Sequence, residues 1–112
     1  MTNTDFTLYS IPTLITRNKS KEYQESVILT ATSLFKFLKE NQLFVNIDPF
    51  NEIGELQLDT VLKKSNVTED GLELFKKVVD GWENYLAKST APNKYENISR
   101  LEKGLAKIRE GK

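Results

Sequence analysis

At 112 residues and 12.9 kDa, with 16 basic and 16 acidic side chains, the chain has the length of one domain and no bulk positive charge to hold nucleic acid. It contains no cysteine and no histidine, which excludes disulfides, thiolate metal sites, cysteine nucleophiles and Ser-His-Asp triads, and removes the commonest general base and metal ligand. Apolar residues at 38%, with six Phe, four Tyr and one Trp, suit a globular chain that buries about two-thirds of its unfolded surface. No window approaches 18 apolar residues, and no basic n-region precedes an apolar stretch at the N-terminus. The expectation is a cytoplasmic protein with no membrane segment and no secretory signal.

Residues 1–6 are largely polar and predict a frayed leader. The run Thr7–Thr16 is rich in β-branched side chains and predicts an extended segment, broken by Pro12 into an edge strand or two short pieces. Lys19 to Asn41 is the first strong helix. Tyr23, Val27, Leu34, Phe35 and Leu38 repeat on one helical face, and Ile28, Ala31 and Phe37 widen it. Ser20 is placed to accept from the free amides of the first turn, where Glu22 complements the helix dipole.

From 43 to 64 the periodicity changes to two. Leu43, Val45 and Ile47 alternate with Phe44, Asn46 and Asp48, and Glu55–Asp59 alternates again, predicting a small hairpin with its loop across 48–54. The competing reading makes 55–64 a short helix, from Leu56, Val61 and Leu62. Thr68 then opens the second strong helix, with Glu69 and Asp70 in the first turn. Leu72, Phe75, Val79, Trp82 and Leu86 form its stripe, with Leu74, Val78 and Tyr85 beside it, as far as Lys88. Gly81, next to Trp82, is expected to allow close helix packing. A last helix starts near Asn93 or Asn97, with overlapping capping-box patterns at Asn93–Glu96 and Ser99–Glu102, and carries Ile98, Leu101, Leu105 and Ile108 on one seam.

The chemistry left to such a chain is carboxylate chemistry. Asp48, Glu52, Glu55 and Asp59 lie within twelve residues that contain no basic side chain, and residues 43–70 hold six acids and two bases. Such a loop could ligate a divalent cation, but the spacing of a calcium loop is missing. A solvated loop or an acidic face for a basic protein partner fits better. Phe50, with acids on both sides, is either an exposed anchor for that partner or a lid over the core. The basic C-terminal helix, with Lys94, Arg100, Lys103, Lys107, Arg109 and Lys112, has its stripe interrupted by Glu102 and Glu110, and no helix-turn-helix signature accompanies it. Phe35, Phe37, Phe75 and Trp82 sit at helical spacing among aliphatics and predict core. The glycines form no phosphate-cradling loop.

The string Ser65-Asn66-Val67-Thr68-Glu69-Asp70-Gly71-Leu72, followed by Phe75 and Trp82, resembles small uncharacterised bacterial proteins with a Ser-Asp-Leu-Thr-x-Glu-Gly core. Leu101-x-x-Gly104-Leu105-Ala106-Lys107 fits the same pattern. Asn66 stands here in place of Asp, and Asp70 in place of Glu. The matching positions are helix cap and helix core, so the resemblance implies a shared fold rather than an active site. Compact neutral proteins of this kind resemble immunity partners of bacterial toxins. The expectation is therefore a mainly α (α+β) single domain over 1–112, with three principal helices and a small β-hairpin or extended N-terminal segment. It would be a non-catalytic protein-binding module, most concretely an immunity protein that neutralises a toxin. Asp48, Phe50, Glu52, Glu55 and Asp59 would meet a basic toxin domain, without cofactor, metal, nucleic acid or membrane. A small carboxylate-based enzyme or ligand-binding domain, or a regulatory adaptor, is the alternative; a deep polar pocket would favour an enzyme or ligand binder.

Overall fold

In the computed structural model, which describes residues 5–111, the chain begins with a strand, β1 (Thr7–Ser10), that runs directly into a short helix, α1 (Ile11–Thr16). The extended reading of 7–16 therefore holds only for its first half. Ser10 has extended backbone and its hydroxyl accepts from the Thr13 amide at 3.3 Å, while Pro12 sits in the first turn, where its missing N–H costs no helical bond. The proline that argued against a continuous strand starts a helix instead. Of the expected frayed leader, residues 1–4 lie outside the described residues, and Asp5 and Phe6 are tied down. Asp5 accepts from the Ser65 amide and hydroxyl at 2.9 and 2.7 Å, and the Phe6 carbonyl accepts from the Lys64 amide at 3.0 Å.

Helix α2 (Lys21–Glu40) has the expected Ser20 cap, whose hydroxyl accepts from the Tyr23 amide at 3.4 Å. It buries Val27, Ala31, Leu34, Phe35, Phe37 and Leu38, the predicted face. The 43–64 segment departs from both readings. Phe44 bridges Val67 and Phe50 bridges Leu56, each as a single antiparallel bridge, and no helix forms over 55–64. The strand that does form there, β2 (Val61–Lys63), pairs antiparallel with β1, a long-range partner that alternation cannot identify. Thr7 opposes Lys63 and Tyr9 opposes Leu62, so an irregularity falls at Leu8; the pairing leaves both Tyr9 and Leu62 in the core. A 3₁₀ turn, Lys64–Asn66, leads from β2 to Val67.

Helix α3 covers residues 69–88 as Glu69–Leu74, a π-helical stretch Phe75–Val79, and Asp80–Lys88. Thr68 caps it, accepting from the Gly71 amide at 3.2 Å. The π stretch changes the register of the stripe. The buried positions run Gly71, Leu74, Val79, Trp82 and Leu86, with a step of five from Leu74 to Val79 where regular helix would step three or four. Leu72 and Phe75, expected at the centre of the stripe, are therefore only half-buried, and Leu74 takes their place.

After a 3₁₀ turn at Lys94–Glu96, α4 (Ser99–Glu110) crosses this stretch. A Cβ placed on Gly104 would lie 2.5 and 2.6 Å from the Val78 methyls, so Gly104 is the residue that allows α3 and α4 to approach. Gly81, the glycine expected in that role, is exposed with open space at its Cβ position. Neither predicted capping box forms at the start of α4; Asn97 Oδ1 accepts from the Ser99 amide and hydroxyl at 3.3 and 2.8 Å. Among the described residues there are four helices and one two-stranded sheet around an apolar cluster that runs in sequence from Tyr9 to Leu105. Within it Phe35 receives Tyr9 and Phe44 edge-on, with ring centroids 5.5 and 5.8 Å away. None of the described helices is long and apolar enough to cross a membrane.

Candidate functional site

The acidic segment 48–59 leaves α2 through the 41–47 connection and returns to β2, projecting a tight turn between the Phe50–Leu56 bridge. Asn51 organises that turn. Its amide donates to the Glu55 carbonyl at 2.9 Å, its carbonyl accepts from Gly54 at 3.0 Å, and its side-chain oxygen accepts from the Ile53 and Glu55 amides at 3.0 Å each. Gly54 sits at φ +84°, the left-handed conformation that glycine adopts without strain. Internal bonding of this density fixes the conformation of the turn.

The five predicted contact residues do not share one environment. Phe50 is 7% exposed and packs into the core, so it is the lid and not an anchor. Lys39 Nζ lies 5.4 Å from its ring centroid. Asp48 accepts from the Phe50 amide at 3.1 Å and pairs with Lys39 at 3.4 Å. The Phe50 amide first, then the Lys39 ammonium, hold its carboxyl below the usual carboxylate range. Asp48 thus serves the turn rather than a free rim. Glu52, Glu55 and Asp59 are exposed, and among the described residues none has an ion-pair partner.

Where Phe50 was expected at the centre, the turn presents Ile53, 79% exposed, with Leu58 also exposed nearby. The signal was present in the sequence: an apolar side chain inside Asn-Glu-Ile-Gly, a turn too tight to fold back on the core. The residues there are one aliphatic tip with carboxylates on either side. They carry no nucleophile–base pair, and no three acidic side chains converge to hold a metal ion among the described residues.

The basic residues of the C-terminal region are partly taken up by structure. Lys94 donates to the Leu86 and Ser89 carbonyls at 2.8 and 3.2 Å, closing the C-terminus of α3. Arg109 donates to Asp70 at 3.3 Å and to the Asn41 carbonyl at 3.1 Å, joining α4 to the start of α3 and the end of α2. Arg100 lies 5.5 Å from the Tyr85 ring centroid. Lys103 and Lys107 stay exposed on α4, and Lys112 lies outside the described residues.

A second polar group was not singled out by the sequence. Glu83 falls on the buried side of α3, between Val79 and Leu86, where regular spacing would place an apolar residue. It borders three adjoining clefts of about 710, 340 and 180 Å³, all of which also touch Tyr9. Burial, then the neighbouring Asp80 carboxylate, push the Glu83 carboxyl up from its ordinary value; burial, then the Glu83 charge and Tyr23, push the Tyr9 hydroxyl up. Comparison with protein-family models, curated proteins and solved structures finds no match for the chain.

Proposed function

We propose that the chain is a non-catalytic, cytoplasmic protein-binding module whose contact surface is the 48–59 turn. The observation that supports this reading is Ile53, 79% exposed at the tip of a turn fixed by its own hydrogen bonds and bordered by Glu52 and Glu55. A rigid aliphatic tip inside a carboxylate rim suits a partner with an apolar socket in a basic surface. In its most concrete form the partner is a toxin domain that uses basic residues on its own substrate, and the chain is the immunity protein that covers them. Asp48 and Phe50 then hold the turn, and Ile53, Glu52, Glu55 and Asp59 make the contacts.

The test is capture from the native host followed by kinetics on the captured partner. Ile53→Ala is expected to weaken binding by about 1–2 kcal/mol through faster dissociation. Glu52→Gln with Glu55→Gln is expected to slow association at low salt, an effect that fades as screening shortens the range of the charges. A partner whose rates ignore both changes overturns the assignment of this surface.

A further inference from the structure

We infer that Asn51 sets the specificity of the 48–59 turn, holding the Ile53 tip in place with its side-chain oxygen and offering its side-chain nitrogen to an acceptor on the partner. The inference rests on the reading of that turn as a contact surface. It adds an oriented donor to a rim whose charged side chains only accept.

The two ends of the Asn51 side chain are placed differently. Oδ1 accepts from the Ile53 and Glu55 amides at 3.0 Å each, so turning the side-chain amide over would set donor against donor. Nδ2 is thereby directed away from both amides. It has no hydrogen-bond partner among the described residues, and Asn51 is exposed. With Phe50, Glu52, Ile53 and Gln57, Asn51 borders an open depression of about 600 Å³ beside the tip. The other side-chain amide there is engaged, because Gln57 Nε2 donates to the Asp48 carbonyl at 3.2 Å. A basic surface supplies donors for Glu52 and Glu55, but a basic side chain opposite Nδ2 would again set donor against donor. A main-chain carbonyl at the lip of the apolar socket satisfies Nδ2 and leaves the basic field intact. The carboxylates therefore draw the turn to basic surfaces in general, and Asn51 discriminates among them.

The experiment compares Asn51→Ala with Asn51→Asp, which keeps an oxygen for both amides and removes the donor. In the free protein, amide exchange at Ile53 and Glu55 is expected to be about tenfold faster in Asn51→Ala and close to wild type in Asn51→Asp. On the captured partner, Asn51→Asp is expected to dissociate about two- to tenfold faster with no slowing of association, and Asn51→Ala faster still. Unchanged exchange in Asn51→Ala would overturn the positioning role. Wild-type dissociation of Asn51→Asp would overturn the donor contact while leaving the turn as the contact surface. A partner indifferent to Ile53→Ala and to the Glu52 and Glu55 changes removes that surface, and this inference with it.

Discussion

Glu83 occupies a position that α3 would fill with an aliphatic side chain if packing alone were selected. Because burial raises its pKa above that of the unfolded chain, the folded protein keeps the Glu83 proton over a pH range in which the unfolded protein has lost it. The stability contributed by protonated Glu83 is complete below its unfolded pKa and is lost as pH rises through the folded one. Glu83→Gln keeps the shape and removes the charge, so it is expected to raise Tm at neutral pH, by an amount that shrinks as pH falls into the acid range. Thermal melts of both proteins across that range check this; a parallel pH dependence would mean that Glu83 is as well solvated folded as unfolded. Asp5 and Asp48 act in the opposite sense. Hydrogen bonds from Ser65 and from the Phe50 amide, respectively, lower their pKa values, so what they add is lost as pH falls. At this scale the caps Ser20 and Thr68 were legible in the sequence, because a cap needs only a short side chain three residues before a free amide. Glu83 was not. Whether a carboxylate at the edge of a stripe faces water or a cleft depends on what packs opposite it.

Among the elements, the crossing of α3 and α4 concentrates the unusual geometry, with a π stretch on one helix and a glycine on the other. Two of the helical glycines, Gly104 and Gly81, separate packing from propensity. Gly104→Ala would drive a methyl into the Val78 side chain, which is β-branched and stiff, and overpacking of this kind costs about 1–3 kcal/mol. A helix-propensity gain of about 1 kcal/mol offsets part of it, leaving a net loss. Gly81→Ala meets open space and is expected to gain about 0.5–1 kcal/mol. Urea midpoints of the two variants should move in opposite directions, and Val78→Ala in the Gly104→Ala background should recover part of the loss. Movement in the same direction would show that the helices separate freely at this crossing. Helical periodicity located α2, α3 and α4, yet it assumes 3.6 residues per turn and so misplaced Leu72, Phe75 and Leu74 around the π insertion.

For the molecule as a whole, Trp82 is the side chain that ties the second half together. It is fully buried, and its indole nitrogen donates to the Asn97 carbonyl at 3.0 Å, just ahead of α4. Trp82→Ala is expected to cost about 3–5 kcal/mol, a large share of the stability available to a domain of this size. Trp82→Phe keeps an aromatic ring but releases Asn97, so faster amide exchange is expected in α4 than in α2. Denaturant melts read the first effect and hydrogen exchange the second. Uniform acceleration in both helices would place Trp82 in a general core role, with no particular hold on α4.

Residue types and their periodicity were enough to establish a mainly helical chain, two long amphipathic helices with their caps, an aromatic core, and the exclusion of histidine and cysteine chemistry. Those properties depend on neighbours within a turn or two. Tertiary structure decided what depends on distant neighbours. It paired β1 with β2 instead of closing a local hairpin, and turned Pro12 from a strand breaker into the first turn of α1. It also buried Phe50 beneath Lys39, left Ile53 exposed at the tip, and set Glu83 beside Tyr9. Alternation states that a strand has two faces, but only the opposing element determines which face is covered, and with it which side chains remain to meet a ligand.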